Sequence, residues 1–221
     1  MRKHWIVFVL AVLAPAGGSI AQTIVGTSHD LSANLPTSQR VCVFCHTPHQ
    51  PSNFGGQPVE TDPLWNHELS STASYGIYDS PTFDAGPGNL DTISDIGGQE
   101  EVSNLCMSCH DGTVGLGAQY NQPNISPGVE EVPINAAVVL TGNANLGTDL
   151  SNDHPVNFTY DAALVAADGQ LNDPTVPPIS DWLFNGTVQC ASCHDPHDDT
   201  NFPFLIADNT GSGLCLTCHI K

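Results

Sequence analysis

The sequence predicts a chain that is mostly coil, with few short helices and short strands and little regular secondary structure. Two observations carry that expectation. Twenty Gly and seventeen Pro in 221 residues, roughly one position in six, interrupt the chain too often for long helices or central strands. The residues in excess are eight Cys and ten His. All eight Cys recur in one short motif, so the interior is expected to form around what that motif binds rather than around apolar side chains alone.

The amino terminus reads as a targeting segment. Arg2, Lys3 and His4 form a basic start, Trp5 to Leu13 an apolar run, and Ala14-Pro-Ala-Gly-Gly-Ser-Ile-Ala21 a small-residue cleavage region. The run is broken by Pro15, Gly17 and Gly18 and falls short of the ~20 residues that span a bilayer as a helix. Residues 1–21 are therefore expected to be removed as a signal peptide, leaving 22–221 as a single exported domain with no membrane span. Four Lys plus Arg against twenty-three Asp plus Glu give a charge of −19, and loss of Arg2 and Lys3 takes it to −21. So acidic a chain excludes nucleic acid, whose binding depends on neutralising phosphates with cations, and equally an anionic membrane surface.

The cysteines read Cys42-Val-Phe-Cys45-His46, Cys106-Met-Ser-Cys109-His110, Cys190-Ala-Ser-Cys193-His194 and Cys215-Leu-Thr-Cys218-His219. All lie in Cys-x-x-Cys-His, the c-type haem attachment motif. Positions i, i+3 and i+4 share a face of a helical turn, so two thiols reach the two haem vinyl groups while the imidazole meets the iron from the same side. Disulfides and zinc knuckles also use Cys-x-x-Cys, but neither needs His after the second Cys. With ten His in 221 residues, four such placements by chance are on the order of one in 10⁵ to 10⁶. A thioredoxin-like redox pair would need a βαβ context that the sequence lacks. Four c-type haems are expected, attached through these eight cysteines, with His46, His110, His194 and His219 as proximal iron ligands. The fold class becomes a haem-cored multihaem cytochrome c.

Setting aside His4 and the proximal residues leaves His29, His49, His67, His154 and His197 for four sixth positions. Met107 lies inside the second motif between two thioethers, where it does not reach an axial site. Bis-histidine ligation and low potentials are therefore expected. His49 and His197 each follow a proximal His by three residues, in Cys-His-Thr-Pro-His and Cys-His-Asp-Pro-His. Three extended residues reach only about 10 Å, too little to wrap the macrocycle edge with Pro between, so each is expected to serve a different haem. His29 and His154 are the other expected distal ligands, with Asp30 or Asp153 accepting the second ring N–H. His67, in Leu-Trp-Asn-His-Glu, is the spare one.

The third and fourth motifs begin at Cys190 and Cys215, so their haems are expected to be neighbours. Stretches such as Asp84-Ala-Gly-Pro-Gly-Asn-Leu-Asp91 are turn formers. Short helices are expected at the motifs and over 161–167, with a short strand over 136–140. Each haem serves as core for roughly 50 residues, so the chain without haem is expected to be unfolded. Asp195-Pro-His-Asp-Asp199 lacks the regular spacing of a calcium loop and reads as a solvated acidic surface.

Ser28-His-Asp-Leu-Ser32, Val41-Cys-Val-Phe-Cys-His-Thr-Pro-His49, Pro63-Leu-Trp-Asn66, Leu105-Cys-Met-Ser-Cys-His-Asp-Gly-Thr113, Asp153-His-Pro-Val-Asn-Phe158 and Cys190-Ala-Ser-Cys-His-Asp-Pro-His197 together resemble exported multihaem cytochromes of metal-reducing bacteria. By size and motif number the chain is most similar to the OmcE-like tetrahaem family, whose members polymerise into extracellular nanowires. The resemblance implies a continuous haem stack in which a histidine of one subunit ligates a haem of the next. In the related hexahaem filament protein the donor lies three places after the first proximal ligand, which matches His49. In similar proteins Arg follows Leu-Trp-Asn, which leaves His67 unrequired.

The expected function is electron transfer through four closely stacked haems in a homopolymer, joined between subunits through His49 and the last haem. Other redox proteins or extracellular acceptors would be its partners. Saturated irons leave no open position, so enzymatic activity is not expected. A monomeric periplasmic electron shuttle shares every haem feature, and a multihaem reductase would need a five-coordinate haem.

Overall fold

The computed structural model describes residues 24–34, 41–47, 64–85, 102–120 and 137–220. The segment 1–21 and His49 lie outside them. In chain order the regular elements are 3₁₀ turns at Leu31–Asn34 and Val41–Phe44, helix α1 at Val102–His110, a 3₁₀ turn at Gly142–Ala144, and strand β1 at Phe158–Thr159. Helices α2 at Ala162–Asp168 and α3 at Ile179–Trp182 follow, then strand β2 at Thr187–Val188, 3₁₀ turns at Cys190–Ser192 and Thr210–Ser212, and helix α4 at Gly213–Cys218. The described residues are mostly coil with little regular secondary structure, in keeping with the Gly and Pro content.

β1 and β2 pair antiparallel, Phe158 opposite Val188 and Thr159 opposite Thr187. The strand expected over 136–140 does not form in the described part of that stretch: residues 137–140 are irregular. Val138 O accepts the Leu116 N–H at 2.7 Å, but one such bond without a continuing ladder does not make a strand.

The helix expected over 161–167 is α2, shifted by one residue. Asp161 is extended and its carboxylate accepts the N–H groups of Ala163 and Leu164, each at 2.9 Å. Gly169 ends the helix with φ 70° and its N–H on Val165 O. A cap of this kind stabilises by about 1 kcal/mol, and glycine takes the left-handed conformation without a Cβ clash.

Apolar burial falls into three separate groups, and each touches a motif. Ala85, Phe158, Tyr160, Leu164, Ile179 and Val188 pack the strand pair against α2 and α3, with Cys218 of the fourth motif alongside. Tyr75 and Leu150 close over Met107 of the second motif. Phe44 and Leu116 pack between Cys45 of the first motif and Cys109 of the second.

Polar side chains tie these groups together. Gln189 is buried just before the third motif. Its Oε1 accepts from both the backbone N–H and the hydroxyl of Ser103 on α1, and its Nε2 donates to Asn157 Oδ1 and Thr187 Oγ1 at 2.9 Å each. The Cys190 N–H in turn donates to Ser103 Oγ at 2.9 Å. One buried amide thereby clamps the second motif, the third motif and the strand pair.

Asp111, directly after the second motif, is a second such centre. Its carboxylate accepts from the hydroxyls of Ser70, Thr72 at 3.1 Å and Tyr75 at 2.9 Å, and from the Thr113 N–H and hydroxyl at 2.8 Å each. Burial works against its charge, yet the hydrogen bonds from Ser70, Thr113 and Tyr75 hold its carboxyl below the usual range.

No helix among the described residues is long and apolar enough to cross a membrane.

Candidate haem-binding site

Each motif closes one helical turn. The second and fourth end α1 and α4, and the first and third form 3₁₀ turns. The histidine N–H returns to the carbonyl of the motif's first cysteine, His46 on Cys42 at 2.8 Å, His194 on Cys190 at 3.1 Å and His219 on Cys215 at 2.9 Å. That closure sets two thiols and one imidazole on the same face, the arrangement that Cys-x-x-Cys-His spacing requires of a haem anchor. All eight thiols are unpaired.

The imidazoles meet in pairs drawn from distant parts of the chain. His46 faces His197 with ring centroids 5.9 Å apart, His110 faces His29 at 6.1 Å, and His219 faces His154 at 6.3 Å. Two rings bound to one ion from opposite sides, each through a bond of about 2 Å, have centroids about 6 Å apart. Each pair therefore has room for one iron, and each joins a motif histidine to one of the five spare ones. The residues present fit bis-histidine haem.

Hydrogen bonds aim these rings. His110 Nδ1 lies 2.7 Å from Ala144 O, His29 Nδ1 3.2 Å from Pro196 O, His154 Nδ1 2.8 Å from Pro155 O, and His194 Nδ1 3.1 Å from Pro203 O. A nitrogen facing a carbonyl carries the proton, which leaves Nε2 free for a metal. Asp30 and Asp153, the acceptors expected from the sequence, do not take this role. The structure gives it to backbone carbonyls at Pro196 and Pro155, while the Asp30 carboxylate turns back on its own loop, accepting from Gly26 and Ser32. Phe204 stacks on His29 at 4.3 Å. Burial of His29 pushes its pKa down, favouring the neutral ring that a metal needs.

His67 stands apart from the facing pairs. It is buried, with Nδ1 2.9 Å from Glu68 O and Nε2 3.1 Å from Gly115 O, and its ring lies 3.6 Å from Cys109 Sγ. Each nitrogen faces a backbone carbonyl, and burial favours the neutral ring, which donates to one of the two; the ring packs behind the second motif. Among the described residues His194 faces no second imidazole. Met107 is buried between Tyr75 and Leu150.

The motif sulfurs follow one another in chain order. Cys45 and Cys109 share an apolar group. Cys106 and Cys190 neighbour each other, and the Cys106 thiol holds the Cys190 thiol below its ordinary value. Cys193 is pushed up to about 11 by burial and by the nearby Cys218. The second and third motifs, far apart in sequence, are brought together through the Cys190 N–H on Ser103 Oγ of α1.

Sequence reasoning missed the aiming carbonyls, because every residue type carries a carbonyl and none signals its direction. It also missed Gln189, Ser103 and Asp111. The Ser and Thr residues around position 70 were the available sign that a buried carboxylate needed donors.

Fold and motifs together define a c-type-cytochrome-like protein, a chain that binds haem covalently through Cys-x-x-Cys-His. A family model, the doubled CXXCH motif, matches residues 184–221, which hold the third and fourth motifs. No curated protein matches the chain.

Proposed function

We propose that the chain is a tetrahaem electron conduit and the subunit of an extracellular filament of the OmcE-like kind. When bound, each haem supplies a one-electron ferric/ferrous couple; the chain attaches it, ligates it and fixes its spacing. The observation that carries the reading is the set of three imidazole pairs at 5.9, 6.1 and 6.3 Å. In this reading His197, His29 and His154 are the distal partners of His46, His110 and His219.

That assignment leaves the third motif's His194 to take its partner from outside the described residues. His49 of a neighbouring subunit fills that place. Because His219 already faces His154, the reading moves the junction between subunits from the last haem to the haem of the third motif. Saturated coordination makes the chain a conductor rather than an enzyme.

Cryo-electron microscopy of secreted material tests this. Wild-type protein should give filaments with density joining His49 of one subunit to the His194 haem of the next, and His49→Ala should give monomers. Wild-type monomers with His49 bound inside their own chain overturn the filament and leave the periplasmic shuttle. The reductase reading is favoured by one observation, that His194 faces no second imidazole among the described residues. High-spin iron in the resting protein, together with ready binding of nitrite or hydroxylamine, would establish it.

Charge sets a further expectation. Each ferric bis-histidine haem brings one positive charge at the iron site and two propionates, adding about −4 in all to the −21 of residues 22–221. Screening shortens the reach of that repulsion from about 30 Å at 0.01 M salt to about 8 Å at 0.15 M. Filaments should therefore shorten at millimolar salt and regrow at physiological salt, read by light scattering. Constant length across that range would show that charge does not limit assembly.

A further inference from the structure

The three facing pairs differ in two ways that act on the same property. The first is the partner of the distal ring. His29 and His154 turn Nδ1 to a backbone carbonyl, at 3.2 and 2.8 Å, whereas His197 Nδ1 stands 3.4 Å from the Asp195 carboxylate. A carboxylate draws the imidazole proton toward itself more strongly than a carbonyl does and makes the ring a stronger donor to a metal. The second is the angle between rings. His46 and His197 lie 22° from parallel, while His110/His29 and His219/His154 are crossed at 85° and 70°. Parallel rings push electron density into one and the same iron d orbital and raise it. The ferric ion has its hole in that orbital and gains more than the ferrous ion does.

We propose that Asp195 is a positioning and tuning residue. Its carboxylate holds His197 parallel to His46 and makes that pair the most electron-donating of the three, so that the haem of the first motif has the lowest potential among them. The proposal rests on the bis-histidine reading above. The local backbone explains how a short loop does this. Asp195 Oδ1 also accepts the His197 N–H at 2.9 Å, and Asp195 N–H donates to Phe204 O at 2.8 Å. The carboxylate is thereby fixed at both ends of a three-residue segment that begins beside His194. Axial-ligand orientation and the charge behind the ligand are levers by which a protein sets haem potential, and one side chain acts on both here: its Oδ1 accepts the His197 backbone N–H and its charge stands 3.4 Å from His197 Nδ1.

Asp195→Asn is the test, because the amide keeps an oxygen for the His197 N–H and removes only the charge. Asp199→Asn is the control: its charge acts on His29, and its loss removes an equal charge from the same loop. The readout is a potentiometric titration of the haem-loaded protein followed by low-temperature electron paramagnetic resonance. Near-parallel pairs give a rhombic low-spin signal and crossed pairs a signal with one large g value.

In Asp195→Asn a rhombic component should shift to higher potential while the large-g components stay in place. In wild type that component should be reduced after the large-g components, and Asp199→Asn should leave it unmoved. A rhombic component unaffected by Asp195→Asn, or moved equally by both variants, overturns the proposal. Failure of the bis-histidine reading looks different: the wild-type spectrum then lacks the low-spin signals altogether.

Discussion

Made in cells that cannot attach haem, the chain should show no cooperative transition in urea and a coil-like far-ultraviolet circular dichroism spectrum. The reason lies in how its apolar residues are distributed. The described residues bury fourteen hydrophobic side chains, divided mainly among three groups that do not merge. Ordering each residue's backbone costs about 1–2 kcal/mol, which domains of this size normally offset with one continuous core. Here every group ends at a motif: Cys218 on the first, Met107 on the second, Cys45 and Cys109 on the third. Attached haem would join these groups at the motifs, so folding and attachment are expected to be one event. Burial pushes the Cys45 thiol up to about 12 and those of Cys109 and Cys193 up to about 11, as expected of sulfurs whose surroundings suit a neutral thioether better than a thiolate. A cooperative urea transition in the haem-free chain would refute this account.

Gln189→Ala should destabilise the haem-loaded protein by about 2–4 kcal/mol, seen as a lower urea midpoint, because several buried polar groups lose their partner together. The amide oxygen is the acceptor for the Ser103 N–H and hydroxyl, and the amide nitrogen is the donor to Asn157 and Thr187. The side chain is only 1% exposed, so bulk water does not readily replace these partners. Ser103→Ala should cost less, since the Cys190 N–H then loses one acceptor while the amide keeps its bonds to Asn157 and Thr187. In the proposed tetrahaem reading, the loss should also loosen the approach of the second motif to the third, so that spectroscopic coupling between their haems weakens in step. A change within 0.5 kcal/mol, the range of ordinary surface substitutions, would show that the clamp is redundant.

The motif chemistry was legible because it is local. Cys, Cys and His at i, i+3 and i+4 fall on one face wherever a single turn forms, and the closures at His46, His194 and His219 are such turns. The helix at 161–167 was legible for the same reason, since Asp161 and Gly169 are short-range signals at its two ends. The strand at 136–140 failed because a strand needs a continuing backbone ladder, whereas in the described part of the stretch Val138 O accepts the Leu116 N–H and Leu140 O accepts the Asn145 side chain. The roles given to Asp30 and Asp153 failed because adjacency in sequence was taken for direction in space.

The sequence by itself determined the composition of the interior: eight thiols and four imidazoles in fixed local geometry, a backbone too broken by Gly and Pro to build a core alone, and a strongly acidic net charge. These follow from short-range chemistry and from counting. The tertiary structure decided which distant histidine stands opposite which motif, and which motifs touch. It did so through contacts that no local rule contains, such as Pro196 O on His29 and Ser103 on Gln189. Ring direction depends on backbone carbonyls, and these acquire direction only when the whole chain has closed around its sites.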